Sequence, residues 1–422
     1  MRNPPKVKYS GFSLFRNSLG SNSWPNILPT PELRPYYDII IVGGGGHGLA
    51  TAHYLSSRFG ETNVAVLEAG WLGGGNTARN TAIVRSDYLL DASFELKNLA
   101  LQLWETLGSE LGFNLMYSPR GYIDLAHSDG ELEDFILRAN AMCLRGAEAK
   151  ILDRHQLQKR VPQINLSESA RFPVVGGLVQ EKGGIVRHDA VAWGFAKSAV
   201  EAGVHVVQNC PVTGFEIDAG KVTGVRTNQG VIGCEKVLIS VAGASSEVAR
   251  LAGLLLPIQS VNVQAFVSEP VKPALDVVVN YNAGLCYISQ TDKGEFILGG
   301  ATDGYPSFAK RGSFSSIENV IVRAIQIFPF LSGLRLMRHW SGTADVPMDG
   351  NAILGSTPIE NLYLNSGWGY SGFKATPAVG WLMAELLTQI KPPDLIAPFS
   401  LSRFETGNLI DDSGTGPYTW LH

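Results

Sequence analysis

Six residues, Gly43-Gly-Gly-Gly-His-Gly48, stand between a run of β-branched residues and a stretch of helical character. Gly43, Gly45 and Gly48 occupy the three glycine positions of GxGxxG. Each has a steric reason: a tight turn, close approach of backbone N–H groups to a pyrophosphate, and close helix packing. Glu68 follows Gly48 by 20 residues, at the end of a second hydrophobic run, where a carboxylate can accept hydrogen bonds from ribose hydroxyls. Together these point to dinucleotide binding; the glycines alone would serve equally as a turn without a ligand. The motif does not separate FAD from NAD. Directly after the acid, Trp71-Leu-Gly-Gly-Gly-Asn76-Thr77-Ala-Arg-Asn-Thr81 is a second glycine-and-amide loop, suited to run along an extended FAD. A flexible surface loop is the competing reading.

The elements that must position these residues follow from the hydrophobic pattern. Residues 38–42 read as a strand buried on both faces of a parallel sheet, 51–59 as a helix and 63–67 as a second buried strand, one βαβ unit. Further helices are expected over 92–112, 189–202 and 315–328. Strands are expected over 118–126, 204–207, 237–241 and 362–365, with a hairpin over 212–231 and strand-like segments between 257 and 300. The fold class is α/β: a discontinuous, Rossmann-like FAD-binding dinucleotide domain (38–100, 185–257 and 340–422) with an inserted sheet-rich substrate domain (101–184 and 258–339). Residues 1–37, rich in Pro, Ser and Asn, read as an irregular arm, whose Tyr9, Phe12, Phe15 and Trp24 are expected to pack on this chain or on another subunit.

Composition narrows the partners. A chain of 422 residues with 45% apolar content is long enough for two domains. Its net charge of -4 and the absence of a basic run argue against nucleic acid. Cys143, Cys210, Cys234 and Cys286 are too widely spaced for a zinc site or a disulfide framework, and read as reduced thiols. The N-terminal stretch has no apolar run of signal-peptide or membrane-span length, so a cytoplasmic location without membrane contact is expected.

Longer strings carry a family resemblance: Tyr9-Ser-Gly-Phe-Ser-Leu-Phe-Arg16, Tyr117-Ser-Pro-Arg-Gly121, Arg187-His-Asp-Ala-Val-Ala-Trp-Gly-Phe195, Gly372-Phe-Lys-Ala-Thr-Pro377 and Arg403-Phe-Glu-Thr-Gly-Asn-Leu-Ile-Asp411. With the glycine motif and its loop, they make nearly the whole chain similar to the β subunit of heterotetrameric sarcosine oxidase. The related N-methylglutamate dehydrogenase lies in the same D-amino-acid oxidase-like superfamily. The resemblance implies a flavoprotein that oxidises the CH–NH bond of an N-methyl amino acid, in complex with a larger α subunit and two small subunits. It places FAD contacts on Gly46, His47, Glu68, Asn76, Thr77, Thr81, Ile83, Val212, Gly369, Gly372 and Lys374, and substrate-carboxylate cations on Arg85 and Lys374. Related monomeric enzymes attach FAD to a cysteine in the stretch matching Ser341–Val346, and this chain has none there, which implies noncovalent FAD.

His188, by itself, reads as a polar residue before a helix capped by Asp189. Its family string implies instead a covalent bond to the 8α carbon of FMN. Electrons would then pass from FAD to FMN to oxygen, and the product would be glycine with formaldehyde or methylene-tetrahydrofolate. Two cations beside the substrate would favour its neutral amine, and no metal is implied. Val261-Asn262-Val263 and Tyr370-Ser371 depart from the sarcosine oxidase pattern, and Met348-Asp349-Gly350 leans toward the dehydrogenase. An N-methylglutamate dehydrogenase subunit and a non-catalytic flavin-binding subunit are the alternative readings.

Overall fold

The computed structural model describes residues 10–19, 28–281, 286–389 and 392–412. It divides into a short unit, Met1–Thr30, and a large one, Pro31–His422. In the short unit the described residues include helix α1 (Gly11–Ser18). The expected irregular arm is corrected here: a helix of 8 residues is shorter than the window in which a 3.6-residue period can be read. Strand structure also begins earlier than Asp38, at Tyr36. Tyr9 and Trp24 lie outside the described residues.

In the large unit, β1 (Tyr36–Val42), α2 (Gly46–Phe59) and β2 (Val64–Leu67) form the expected βαβ unit. The strands pair in parallel, with Ile39 opposite Val64 and Val42 opposite Leu67. There follow β3 (Ile83–Val84), α3 (Asp91–Glu110), β4 (Tyr122–Ala126), α4 (Asp129–Leu144), β5 (Lys150–Asp153), α5 (Arg154–Arg160), β6 (Gly176–Gln180) and β7 (Gly184–Ile185). Next come α6 (His188–Glu201), β8 (His205–Val207), β9 (Val212–Asp218), β10 (Lys221–Thr227), β11 (Gly230–Ile239), α7 (Ser245–Arg250) and β12 (Ile258–Pro270). The remainder is β13 (Val278–Tyr281), β14 (Cys286–Gln290), β15 (Glu295–Pro306), α8 (Phe314–Ile327), β16 (Leu336–Pro347), β17 (Ile353–Ser356), β18 (Leu362–Ser366), α9 (Gly372–Thr388) and α10 (Arg403–Thr406).

Two sheets carry these strands. The first runs β17-β18-β11-β1-β2-β8, with the β9–β10 hairpin attached to β11. Its central strands pair in parallel and their residues 39–42, 64–67 and 237–239 are almost all buried, as expected where helices cover both faces. The second runs β16-β12-β15-β14-β13-β4-β6-β5 and is antiparallel except at β13–β4. Phe266, Tyr281 and Phe296 pack there against Val320, Ala324 and Ile327 of α8. The short ladder β3–β7 sets Ile83 opposite Ile185.

Several boundaries move. Helix α2 starts at Gly46, ahead of the expected Thr51, so the last glycines of the motif form its first turn. The expected hairpin end at Val231 and the strand over 237–241 are one strand, β11. β16 runs through position 340 without a break, because its full length pairs with β12 in the second sheet. Packing of α9 on α2 is close: a Cβ at Gly380 would lie 2.4 Å from that of Ala50.

Candidate active site

Every residue expected to touch FAD or substrate, except Gly48, lines one cavity of about 1190 Å³, and His188 lies outside its lining. At one end lies the β1–α2 turn. Gly43 has φ +111°, and an added Cβ would stand 2.2 Å from the Ser240 carbonyl oxygen; at Gly48 it would stand 2.1 Å from the Gly43 carbonyl oxygen. Gly48 therefore serves helix packing outside the cavity. Gly45 differs, since a methyl group there would meet only Thr77 Oγ1, at 3.4 Å, so the protein leaves space for something else to approach the backbone. Glu68, at the end of β2, accepts hydrogen bonds from the Gly44 and Gly70 N–H groups, each at 2.8 Å.

The loop after Glu68 is a held structure, which removes the flexible-loop reading. Leu72 N–H donates to Gln208 at 2.7 Å, Trp340 Nε1 donates to the Arg79 carbonyl at 2.7 Å, and the Asn76 side chain bonds both backbone groups of Thr343. Thr77 Oγ1 accepts the Gly46 N–H at 2.9 Å, and Thr81 donates to the Tyr287 hydroxyl at 3.1 Å. Across the cavity, the His47 ring bonds the Gly372 carbonyl at 2.8 Å and stands edge-on to Trp368. Burial keeps this imidazole below its usual pKa, hence neutral. Asn365 Oδ1 accepts from Trp368 Nε1 at 2.7 Å, whereas its buried Nδ2 has no protein partner.

A charged cluster occupies another part of the wall. β3 delivers Arg85, which ion-pairs Asp87 and lies over the rings of Tyr122 (4.8 Å) and Tyr88 (5.3 Å). α9 delivers Lys374, 7% exposed, whose Nζ donates to the Tyr88 hydroxyl at 3.2 Å. Burial, reinforced by Arg85, holds Lys374 well below the ordinary lysine range, while Asp87 keeps Arg85 charged despite burial. Arg85 thus holds its charge firmly, and Lys374 is the more weakly protonated of the two. Lys97 of α3 lies nearby, buried among the rings of Tyr88, Trp368 and Phe399. A smaller cavity of about 110 Å³ shares Arg85, Tyr370 and Lys374 with the large one, and is closed by Asp349, Asn351 and Asp412.

That closing wall depends on residues 403–412. Arg403, 2% exposed, makes a two-pronged ion pair with Asp349 at 2.7 and 2.9 Å and donates to the Asn351 and Phe399 carbonyls. Asp412 accepts from Leu90 N–H and Asn351 Nδ2, each at 3.1 Å, and from Ser93. Asp349, where the sequence departs from the sarcosine oxidase pattern, thus has a structural partner. Val261 does too, packing with Ala344 and Val346. Tyr370 is 41% exposed and lines both cavities.

His188 opens α6 just beyond β7; it is half-buried, and burial lowers its pKa, so the ring is neutral. The expectation that Asp189 caps this helix is corrected. The N-cap is Arg187, with no side-chain cap, and Asp189 sits inside the first turn, bonded to the Arg187 guanidinium and the Ala190 N–H. Sequence reasoning missed Asp87, Tyr88, Lys97, Tyr122, Asp124 and Asp412. Their only signal was charge or hydroxyl within segments that bury on both sides.

Residues 38–386 match the model of the family described as FAD dependent oxidoreductase. The chain is 49% identical over 417 residues to the sarcosine oxidase subunit beta of Rhizobium meliloti (strain 1021), covering 99% of this chain and 100% of that one. It is 45% identical over 407 residues to the subunit of the same name from Rhodobacter capsulatus, covering 96% and 98%. Among solved structures it resembles L-proline dehydrogenase from P. horikoshii, with a TM-score of 0.83, 27% identity, and coverage of 90% of this chain and 100% of that one. The glycine-motif fold, the cavity it opens into and these full-length similarities agree: the chain belongs to the FAD dependent oxidoreductase family and, within it, to the sarcosine oxidase β subunits.

Proposed function

We propose that this chain oxidises the carbon–nitrogen bond of sarcosine at a noncovalently held FAD, as the β subunit of a complex with a larger α subunit and two small subunits. The observation that carries the reading is Arg85, a half-buried guanidinium on the wall of the same cavity as the glycine motif, with Lys374 on that wall too. A substrate that is both amine and carboxylate needs such a cation, and the relatives are named for sarcosine.

The residues present fit FAD. Gly45 leaves room for close backbone approach, and Asn365 Nδ2 is a buried donor with no protein partner on the cavity wall. Gly43, Gly45, Gly46, Glu68, Asn76, Thr77, Thr81, Ile83, Val212, Gly369 and Gly372 would hold it, together with His47 and Lys374. Bound FAD supplies a two-electron acceptor for hydride from the N-methyl carbon. Arg85 fixes the substrate carboxylate, and its permanent charge favours the neutral amine whose lone pair is needed for hydride loss. Lys374 adds a second donor for the carboxylate, and hydrolysis of the product imine would give glycine and formaldehyde, unless tetrahydrofolate takes the carbon.

His188, neutral and half-buried, fits attachment of FMN through a ring nitrogen, which would supply a second acceptor on the way to oxygen. In this reading the first sheet is the FAD domain and the second the substrate domain. The cellular site is the cytoplasm; no helix among the described residues is long and apolar enough to cross a membrane. The test is anaerobic bleaching of the flavin absorbance of the assembled complex with a panel of N-methyl amino acids. Sarcosine should bleach it fastest; preference for N-methylglutamate, or no bleaching at all, would overturn the substrate assignment.

A further inference from the structure

Behind Arg85 the fold buries two aspartates against one guanidinium. Asp87 Oδ1 pairs with Arg85, and its Oδ2 is buried without an N–H or hydroxyl donor. Asp124, 2% exposed on β4, neighbours Asp87 and is tied to the same guanidinium through Tyr122, whose ring lies 4.8 Å from it. Its Oδ1 already accepts from the Tyr122 hydroxyl at 3.0 Å and from Asn280 Nδ2 at 2.6 Å. Two buried carboxyl groups beside one guanidinium leave a negative charge uncompensated unless one of them keeps a proton. Asp87, beside the guanidinium, is the natural anion, which leaves the proton to Asp124.

We propose that Asp124 is a positioning residue: it carries the proton of an Asp87–Asp124 carboxyl pair, and this proton keeps the charge of Arg85 available to the substrate carboxylate. The inference rests on Arg85 being that carboxylate's anchor. With the proton in place, Arg85, Asp87 and Asp124 sum to zero charge. When the Asp124 O–H bond ionises and its proton leaves to solvent, the trio carries one net negative charge, buried beside the place where an anion must bind.

The surroundings set where this happens. Burial, and then Asp87, raise Asp124 to about 7, against the opposing pull of Arg85 and of Arg138 on α4. Burial also pushes Asp87 up, but Arg85 overrides it and holds the group below the usual carboxylate value. From α9, Lys374 is the remaining cation facing the pair, and Tyr122 is held far above its ordinary range by burial. The proton is thus lost near neutral pH, where substrate binding should feel it. Anion binding and proton binding must help each other, and the factor by which affinity falls across the step equals the shift that the bound anion imposes on the pair.

The test uses the flavin-loaded complex and a thioether carboxylate, methylthioacetate, whose own charge is constant from about pH 6 to about pH 9. Its dissociation constant is read from the flavin absorbance. For the natural sequence it should rise on the order of tenfold as pH passes about 7, the size of a unit-scale like-charge effect. Asp124→Asn, neutral at every pH, should hold the low-pH affinity throughout. Asp87→Asn, which removes the like charge, should move the step to lower pH and keeps the idea testable if the first variant folds poorly. A step of wild-type size and position in Asp124→Asn overturns the proposal, as does a flat wild-type profile or an unmoved step in Asp87→Asn. Arg85→Ala separates the two readings: weakened binding there alongside an unchanged step in Asp124→Asn removes only the carboxyl pair, whereas unchanged binding removes the anchor and the pair together.

Discussion

Lys97→Met should make this protein more stable near neutral pH. The Lys97 side chain is 1% exposed, its Nζ has no hydrogen-bond partner, and it sits 5.0 Å from the Tyr88 ring centre, 5.1 Å from that of Trp368 and 6.0 Å from that of Phe399. Burial pushes its pKa down from 10.5 to about 8, with Asp412 opposing and Arg85 assisting. Because the folded value lies below the unfolded one, the native state holds this proton less tightly. The penalty is complete below about pH 8 and fades as pH climbs toward 10.5. The fall from 10.5 to about 8 corresponds to roughly 3 kcal/mol, at about 1.4 kcal/mol for each tenfold change in proton affinity. Loss of the ring–ammonium attraction takes back about 1 kcal/mol, and a thioether among three rings recovers part of that. The net expectation is a gain of about 2 kcal/mol, read as a higher urea midpoint with saturating FAD at about pH 6.5, shrinking sharply at about pH 9.5. A destabilised variant at the lower pH, or an equal gain at both, would refute the reasoning that an unpaired buried ammonium is the cause.

Three further outcomes follow from the site. Glu68→Ala should lose FAD on gel filtration, since the strand end then has no acceptor for ribose and no tie to Gly44 and Gly70; full retention would contradict it. Arg85→Ala and Lys374→Ala should each raise the substrate concentration for half-reduction of the flavin roughly ten- to hundredfold, the cost of one charged hydrogen bond at about 1.5 to 3 kcal/mol. An amine without a carboxylate should respond much less, and equal losses for both amines would remove these residues from the carboxylate site. His188→Ala should abolish FMN mass on the acid-denatured peptide that spans 188 while leaving FAD bound. Unmodified mass on the wild-type peptide of an FMN-containing complex would return the histidine to a structural role.

The βαβ unit was legible because its buried strands are continuous aliphatic runs and its glycines have no alternative to being glycine. α9 was not legible: its residues are buried nearly all round, so no face alternates, and Pro377 falls inside it. α1 and α5 were too short to show a period. The cavity residues that touch backbone or lie beside the glycines were readable through motif and resemblance, whereas Asp87, Asp124 and Lys97 were hidden. Their meaning comes from neighbours brought in by β4, α9 and the last described residues, and a lone charge in a sequence carries no sign of being buried.

The segment from Arg403 to Asp412 also bears on how the protein can be handled. Because Arg403 and Asp412 brace the turn that closes the smaller cavity, cleavage or deletion there would not trim a peripheral tail; it would leave Asp349 as an uncompensated buried charge and unseat Asn351. Fusions, proteolytic shortening and circular permutation are therefore better directed to the β9–β10 turn at Ala219 and Gly220. That turn joins two strands of an appended hairpin, and neither of its two residues lines either cavity.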